Sequence, residues 1–237
     1  MRARLHGPTM ATRWSVLCDI DPALEQTVLH RALAAAVEQV DQQMSPWKPD
    51  SDLSRLNRAA PEAWVALPPE MLTVLARALE VARQSGGAFD PTVGALVDAW
   101  GFGAARGAPD AAAIRAATQA MHRPAYQNLE LELEPANGRA RKHAPLQVDL
   151  CGIAKGYAVD RMIDVLKQHG VAHALAALDG ELRALGGQAD GQPWAVALES
   201  PTPGQRSAHG VLELQDLAVA TSGDYRHFVQ VGTERLA

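Results

Sequence analysis

The sequence predicts an α+β fold in which a substantial mixed sheet is flanked by helices, and three observations carry that reading. Stretches whose apolar residues repeat every second position alternate with stretches that repeat every 3.6. No internal repeat, heptad or low-complexity tract interrupts them. The 237 residues are 47% hydrophobic and 21% charged, a globular composition in a chain long enough to bury a core.

Taken in order, residues 12–20 read as a strand, with Trp14, Val16, Cys18 and Ile20 on one face, and Asp21 and Pro22 break it. A helix follows, its apolar face made of Leu24, Val28, Leu29, Ala32, Leu33, Ala36, Val37 and Val40. Pro46 and Pro49 stiffen a loop around Trp47 and lead into a short helical piece at 51–57. A second amphipathic helix spans about 69–84 and stops at Ser85, Gly86 and Gly87. Asp90 reads as the N-cap, with Pro91 at the first helical position, of a short helix reaching Trp100. After a Gly/Pro loop at 101–109, residues 111–121 are Ala-rich and helical. From Tyr126 the period changes to two, Leu129, Leu131 and Leu133 alternating with Glu130, Glu132 and Glu134, a half-exposed strand that turns at 135–138 into its partner. A short strand at 146–150 runs into a helix at about 153–168, and strands at 173–178, 181–186, 193–198 and 211–220 follow. Residues 224–237 read as a strand, a turn at Gly232 and Thr233, and a bare start of a returning strand. The unpaired ladder this leaves makes one domain over 1–237, cut within a larger fold, the expectation.

Charge counting excludes some classes of partner. Lys and Arg number 22 against 27 Asp and Glu, a net charge of −5, so no basic footprint for nucleic acid is present. No apolar run is long enough to span a membrane, and Arg2 and Arg4 are not followed by the apolar stretch of an export signal. Cys18 and Cys151 are too few for a disulfide framework and lack metal-ligand spacing; both read as free thiols, Cys18 as a small core residue.

The sharpest constellation is at 147–160. A strand end delivers Asp149, Gly152 lets another backbone approach, and Lys155 falls in the first turn of the following helix. A lysine there opposes the helix dipole, and a bound phosphate would resolve the conflict. The Gly152 carbonyl, placed ahead of the helix ladder, is available to a hard cation. Residues 86–94 form a backbone-rich turn able to present N–H groups to a heterocycle or ribose, Trp47 offers a stacking surface, and 221–224 is a hydroxyl-rich turn. Each also has a plain structural reading: surface lysine, glycine C-cap, packing anchor.

Seven ordered segments resemble the FAD:protein FMN transferase (ApbE-like) family: GPTMATRWSV, MSPWKPDSDLSRLN, GGAFDPTVGALVDAWGFG, VDLCGIAKGYAVD, DGELRALG, WAVALESP and AVATSGDYRHF. The resemblance implies a magnesium-dependent enzyme that splits the FAD diphosphate, releases AMP and esterifies FMN to a threonine or serine of an acceptor flavoprotein. It places FAD contacts on Met10, Trp47, Ala88, Phe89, Asp90, Asp149 and Lys155, and one Mg²⁺ ligand on the Gly152 carbonyl. Cys151 becomes a neighbour of the site and not a nucleophile. FAD is expected in a cleft bordered by Trp47, the 88–90 turn and the 149–155 junction, with Lys155 on the diphosphate.

Two departures from the family pattern stand out. Ala11 occupies a position that usually holds glycine. A downstream His-x-x-Asp-Pro segment and an Asp-x-x-x-Thr pair, which would supply the base and the other metal ligands, are absent from the 237 residues, so no catalytic residue is assigned and these residues alone are expected to lack metal-dependent transfer. The alternative is a non-catalytic FAD- or FMN-binding protein; a plain scaffold leaves Trp47, Asp90, Asp149 and Lys155 without a shared purpose. Family members commonly work outside the cytoplasmic membrane behind a lipoprotein signal, and the sequence leaves acceptor, oligomeric state and compartment open.

Overall fold

A computed structural model describes residues 1–103, 107–120, 124–134, 137–201, 207–223, 228–231 and 234–236. Its first elements are β1 (Arg2–Thr9), β2 (Thr12–Asp19), α1 (Gln26–Met44), α2 (Asp52–Arg58), β3 (Val65–Ala66) and α3 (Pro69–Gln84). There follow α4 (Gly94–Ala99), α5 (Ala111–Ala120), α6 (Ala125–Asn128), β4 (Leu129–Glu132), β5 (Arg139–Lys142) and α7 (Cys151–Gln168). The remaining strands are β6 (His173–Leu178), β7 (Glu181–Leu185), β8 (Trp194–Glu199), β9 (Ala208–Leu214), β10 (Ala218–Ala220), β11 (Val229–Val231) and β12 (Glu234–Leu236). The chain divides into two compact units, 1–39 with 155–237, and 40–154.

The first unit is built on a five-stranded sheet in the order β1-β2-β6-β7-β10. Each pairing is antiparallel, so the mixed sheet expected from the sequence resolves into an antiparallel one. Its inward face is the predicted alternation: Trp14, Val16 and Cys18 are buried, as are Ala174, Ala176 and Leu178 on β6. Leu29, Leu33, Ala36 and Val37 of α1 are buried, while Val28, placed on the same face by periodicity, is exposed. A separate hairpin, β8 with β9, packs Trp194 and Leu214 against Ala184.

The second unit carries the three-stranded sheet β3-β5-β4 together with α2 to α6. Ser51 caps α2, its Oγ accepting from the Ser54 N–H at 3.0 Å, and Pro69 opens α3 at the first helical position. Met71, Leu72, Val74, Leu75, Ala78, Leu79 and Ala82 form the buried face of α3.

Several boundaries differ from the sequence reading. β1 was not expected; only Ala3 and Leu5 point inward among Arg2, Arg4 and His6, too little to mark a strand by composition. Residues 146–150 form no strand; Gln147 makes an isolated parallel bridge to Val93. The expected strand at 211–220 is two, because Asp216 takes a φ of 52° and accepts the Gly186 N–H, ending β9 and redirecting the chain into β10. β4 stops at Glu132, leaving Leu133 exposed, and the short helix α6 occupies the start of that stretch. β11 and β12 pair as a hairpin. The turn positions 135, 136, 232 and 233 lie outside the described residues.

Candidate functional site

Six of the eight singled-out residues belong to the 40–154 unit. Gly86 and Gly87, at φ 62° and 88°, end α3 in the left-handed region that glycine tolerates. The Ser85 Oγ then accepts the Phe89 N–H at 3.1 Å and the Ser85 carbonyl accepts the Ala88 N–H at 3.3 Å. Asp90 is not the helix cap that the sequence suggested. Its Oδ1 accepts from the N–H and hydroxyl of Thr92 at 2.7 and 2.6 Å, closing its own turn, and α4 begins only at Gly94. With the N–H groups of Ala88, Phe89, Thr92 and Gly94 all committed inside the protein, this turn offers acceptors and a ring edge rather than a cradle of donors.

The turn is stitched to the 147–152 segment. The Gly94 N–H donates to the Gln147 carbonyl at 3.0 Å and the Asp149 N–H to the Pro91 carbonyl at 2.8 Å. A side chain at position 94 would put its Cβ 2.9 Å from the Gln147 oxygen, so the crossing requires glycine. Asp149 Oδ1 accepts the Cys151 N–H at 2.7 Å and opens α7 there, two residues earlier than predicted. Gly152 therefore lies inside the helix, and its carbonyl joins the ladder instead of preceding it. A Cβ at Gly152 would stand 3.3 Å from the edge of the Phe89 ring, so Ala88, Phe89, Asp90, Asp149 and Gly152 share one neighbourhood.

A cavity of about 200 Å³ adjoins it, lined by Pro46, Asn57, Gly94, Asp98, Gln147 and Asp149 among others. A larger cavity, about 770 Å³, touches none of the candidate residues. It is walled by charges already paired, Arg55 with Asp52 and Arg139 with Glu132, and makes the weaker site. Trp47 is 45% exposed, which removes the packing-anchor reading. Its loop is tied down from below by Ser51 Oγ to the Ser45 carbonyl at 2.7 Å, Ser54 Oγ to the Lys48 carbonyl at 2.8 Å, and a Lys48–Asp41 ion pair at 2.6 Å.

Met10 and Lys155 belong to the other unit. The registers Thr9↔Thr12, Leu178↔Glu181 and Ala220↔Glu181 put the 10–11 turn, the 179–180 turn and Thr221 at one end of its sheet. Thr221 docks there, its N–H donating to the Gly180 carbonyl at 3.0 Å; Asp224 lies outside the described residues. Lys155 Nζ donates to Asp179 Oδ2 at 3.1 Å and sits 3.2 Å from Glu181 Oε2. Burial works to lower the Lys155 pKa, but the two carboxylates outweigh it and hold the ammonium above its usual value. Burial pushes the Glu181 carboxyl up, partly opposed by Lys155. The protein's own acids thus settle the conflict with the helix dipole that the sequence reading left to a bound anion. Asp179 and Glu181 were not singled out; the Asp179-Gly180 turn within DGELRALG was the available signal.

A family model described as the ApbE family matches residues 10–236. The chain belongs to the ApbE family. A curated FAD:protein FMN transferase of Vibrio cholerae is 35% identical over 230 residues, covering 97% of this chain and 68% of that protein. One of Klebsiella pneumoniae is 32% identical over 238 residues, covering 98% and 67%. Among solved structures, the flavin transferase ApbE from Vibrio cholerae superposes with a TM-score of 0.85 at 33% identity, over 99% of this chain and 74% of that one. The apo form of the Pseudomonas stutzeri flavinyl transferase ApbE gives 0.84 at 33% identity, over 100% and 73%. The α+β architecture implied by the resemblance is the ApbE fold.

In this ApbE chain the turn between β1 and β2 puts Met10 and Ala11 at φ 45° and 58°. Two left-handed residues in a two-residue hairpin loop make the type I′ arrangement, which favours glycine. Ala11→Gly is therefore expected to stabilise the protein by about 0.5–1 kcal/mol, the relief of left-handed strain exceeding the added freedom of the unfolded chain. Urea melts of the two proteins check this; a less stable variant would show that the turn carries no strain.

Proposed function

We propose that residues 1–237 carry the flavin site of an FAD:protein FMN transferase, which cleaves the FAD diphosphate with Mg²⁺, releases AMP and esterifies FMN to a threonine or serine of an acceptor flavoprotein. The observation that carries this reading is the similarity to curated relatives of that name along nearly the whole chain, 35% identity over 97% of it in one case. The chemistry of the residues supports it. Trp47 presents an exposed ring for stacking, Phe89 a ring edge, and Asp149 a carboxylate beside a cavity, which suits the aromatic rings and ribose hydroxyls of a dinucleotide. Met10 and Lys155 are proposed FAD contacts as well. Lys155 brings its two acids with it, so an approaching diphosphate meets a Lys155–Asp179–Glu181 cluster and not a lone cation.

When bound, Mg²⁺ polarises a phosphoryl oxygen. Among the described residues no group of three or more His, Cys, Asp or Glu is placed to hold a metal, and the Gly152 carbonyl already serves the helix ladder. The described residues do not make an octahedral oxygen site. No helix among the described residues is long and apolar enough to cross a membrane.

The test is a titration of residues 1–237 with FAD followed by tryptophan fluorescence, together with AMP release and FMN labelling of an acceptor peptide, with and without Mg²⁺. Binding that quenches fluorescence is expected, and Trp47→Ala should remove most of the quench; quenching unchanged in that variant overturns the placement of Trp47. AMP release with labelled acceptor supports the transferase. FAD binding without AMP release is the result expected of residues 1–237, which among those described make no metal site, and no binding overturns both the transferase and the flavin-binding alternative.

A further inference from the structure

The 147–149 segment carries Asp149 yet belongs to no sheet. On one side it is held by Pro91 and Gly94, as described above. On the other it is held by a side chain. Asn57, in the last turn of α2, donates from Nδ2 to the Val148 carbonyl at 2.9 Å and accepts the Val148 N–H on Oδ1 at 2.8 Å. This two-point pairing occupies both polar groups of a buried residue, as a neighbouring strand would. Lys142 secures the arrangement. It is 3% exposed and has no carboxylate partner among the described residues; its Nζ donates instead to the Asn57 carbonyl at 2.7 Å and the Leu146 carbonyl at 3.1 Å. A buried ammonium is costly to desolvate, and burial pulls its pKa below the ordinary value. Its two bonds join the end of α2 to the residue just ahead of 147, which gives that cost a purpose.

We propose that Asn57, anchored by Lys142, is a positioning residue of the flavin site, fixing the register of 147–149 and hence the placement of Asp149 and of the first turn of α7. The inference rests on the proposed function for what the site binds; the positioning is tested apart from it. Amide hydrogen exchange resolved by residue and FAD affinity are measured on residues 1–237 carrying Asn57→Ala, Asn57→Asp or Lys142→Met. Leu79→Ala, a core change on α3, serves as the control for general destabilisation.

The amides of Asp149 and Cys151 are not touched by Asn57. In Asn57→Ala they are expected to exchange at least tenfold faster, and FAD binding to weaken at least tenfold, while Leu79→Ala leaves FAD affinity within twofold of the parent. A folded Asn57→Ala protein with those amides and the affinity within twofold of the parent overturns the proposal, as does faster exchange with unchanged affinity. Should Asn57→Ala not fold, Asn57→Asp, which keeps an acceptor for the Val148 N–H, and Lys142→Met are judged by the same criteria. If the parent binds no FAD, the proposed function fails, and the exchange at Asp149 and Cys151 still decides whether Asn57 positions the junction.

Discussion

Trp14→Ala is expected to lower the free energy of unfolding by about 3–5 kcal/mol, the range for deleting a large aromatic side chain from a core that cannot collapse around the gap. Trp14 is 1% exposed and lies on a central strand of its sheet. One side of the indole meets the His30 ring, with centroids 5.2 Å apart. The indole also covers Gly7, its cross-strand partner, where a Cβ would approach the indole Nε1 to 2.7 Å. β1 has been cut away at Gly7 to admit this ring, so no small shift of a neighbour refills the space. Urea melts check the prediction, and a loss below about 1 kcal/mol would show that the surroundings close over the gap. Trp47→Ala makes the contrast, since loss of an exposed side chain is expected to stay within about 0.5 kcal/mol.

Lys155→Met is expected to destabilise the protein at pH 7 by about 1–2 kcal/mol, kept at the low end because Asp179 is half exposed and water screens its share. The variant leaves Glu181, whose side chain is 18% exposed, without its counter-charge. The pH dependence gives the cause its signature. Lys155 is held above its ordinary 10.5, so its stabilisation is complete below that value and fades only as pH rises through the raised one. Glu181 is already raised above 4.5, and loss of Lys155 raises it further; its protonated form favours folding at low pH, and that contribution is lost as pH rises through the folded value. The deficit of the variant should accordingly narrow as pH falls towards 4, where a protonated Glu181 needs no cation. Melts from pH 4 to 8 measure this, and a deficit that stays constant across the range would remove the ion cluster as its source.

Much of the architecture was legible in the residues. Period two marked β2 and β4, and period 3.6 marked α1 and α3; in β2, α1 and α3 the buried face is large and apolar, whereas β4 buries Leu129 alone. β1 was hidden because its inward positions are just Ala3 and Leu5; the strand is made by pairing with β2 and not by its own hydrophobicity. Residues 146–150 looked like a strand because Val148 and Leu150 are apolar alternates, and both are buried, but the backbone partner of Val148 is the amide side chain of Asn57, ninety-one positions away. Of the site, the clustering of Phe89, Asp90, Asp149 and Gly152 could be expected from the resemblance. The acids that neutralise Lys155 were invisible, since a pairing between a helix and a distant hairpin turn leaves no local pattern.

The division of the chain sets an order of events during synthesis. Residues 40–154 are contiguous, so their partners have all left the ribosome once that stretch has emerged. β2 can close its hairpin with β1 at once, but its other edge must wait for β6, in the register Trp14↔Leu178, until residue 178 has been made. Until then the newborn hairpin presents an open row of backbone donors and acceptors, with Trp14, Val16 and Cys18 uncovered. The inward residues of β2 therefore wait, uncovered on that edge, for as long as residues 20–172 are being made.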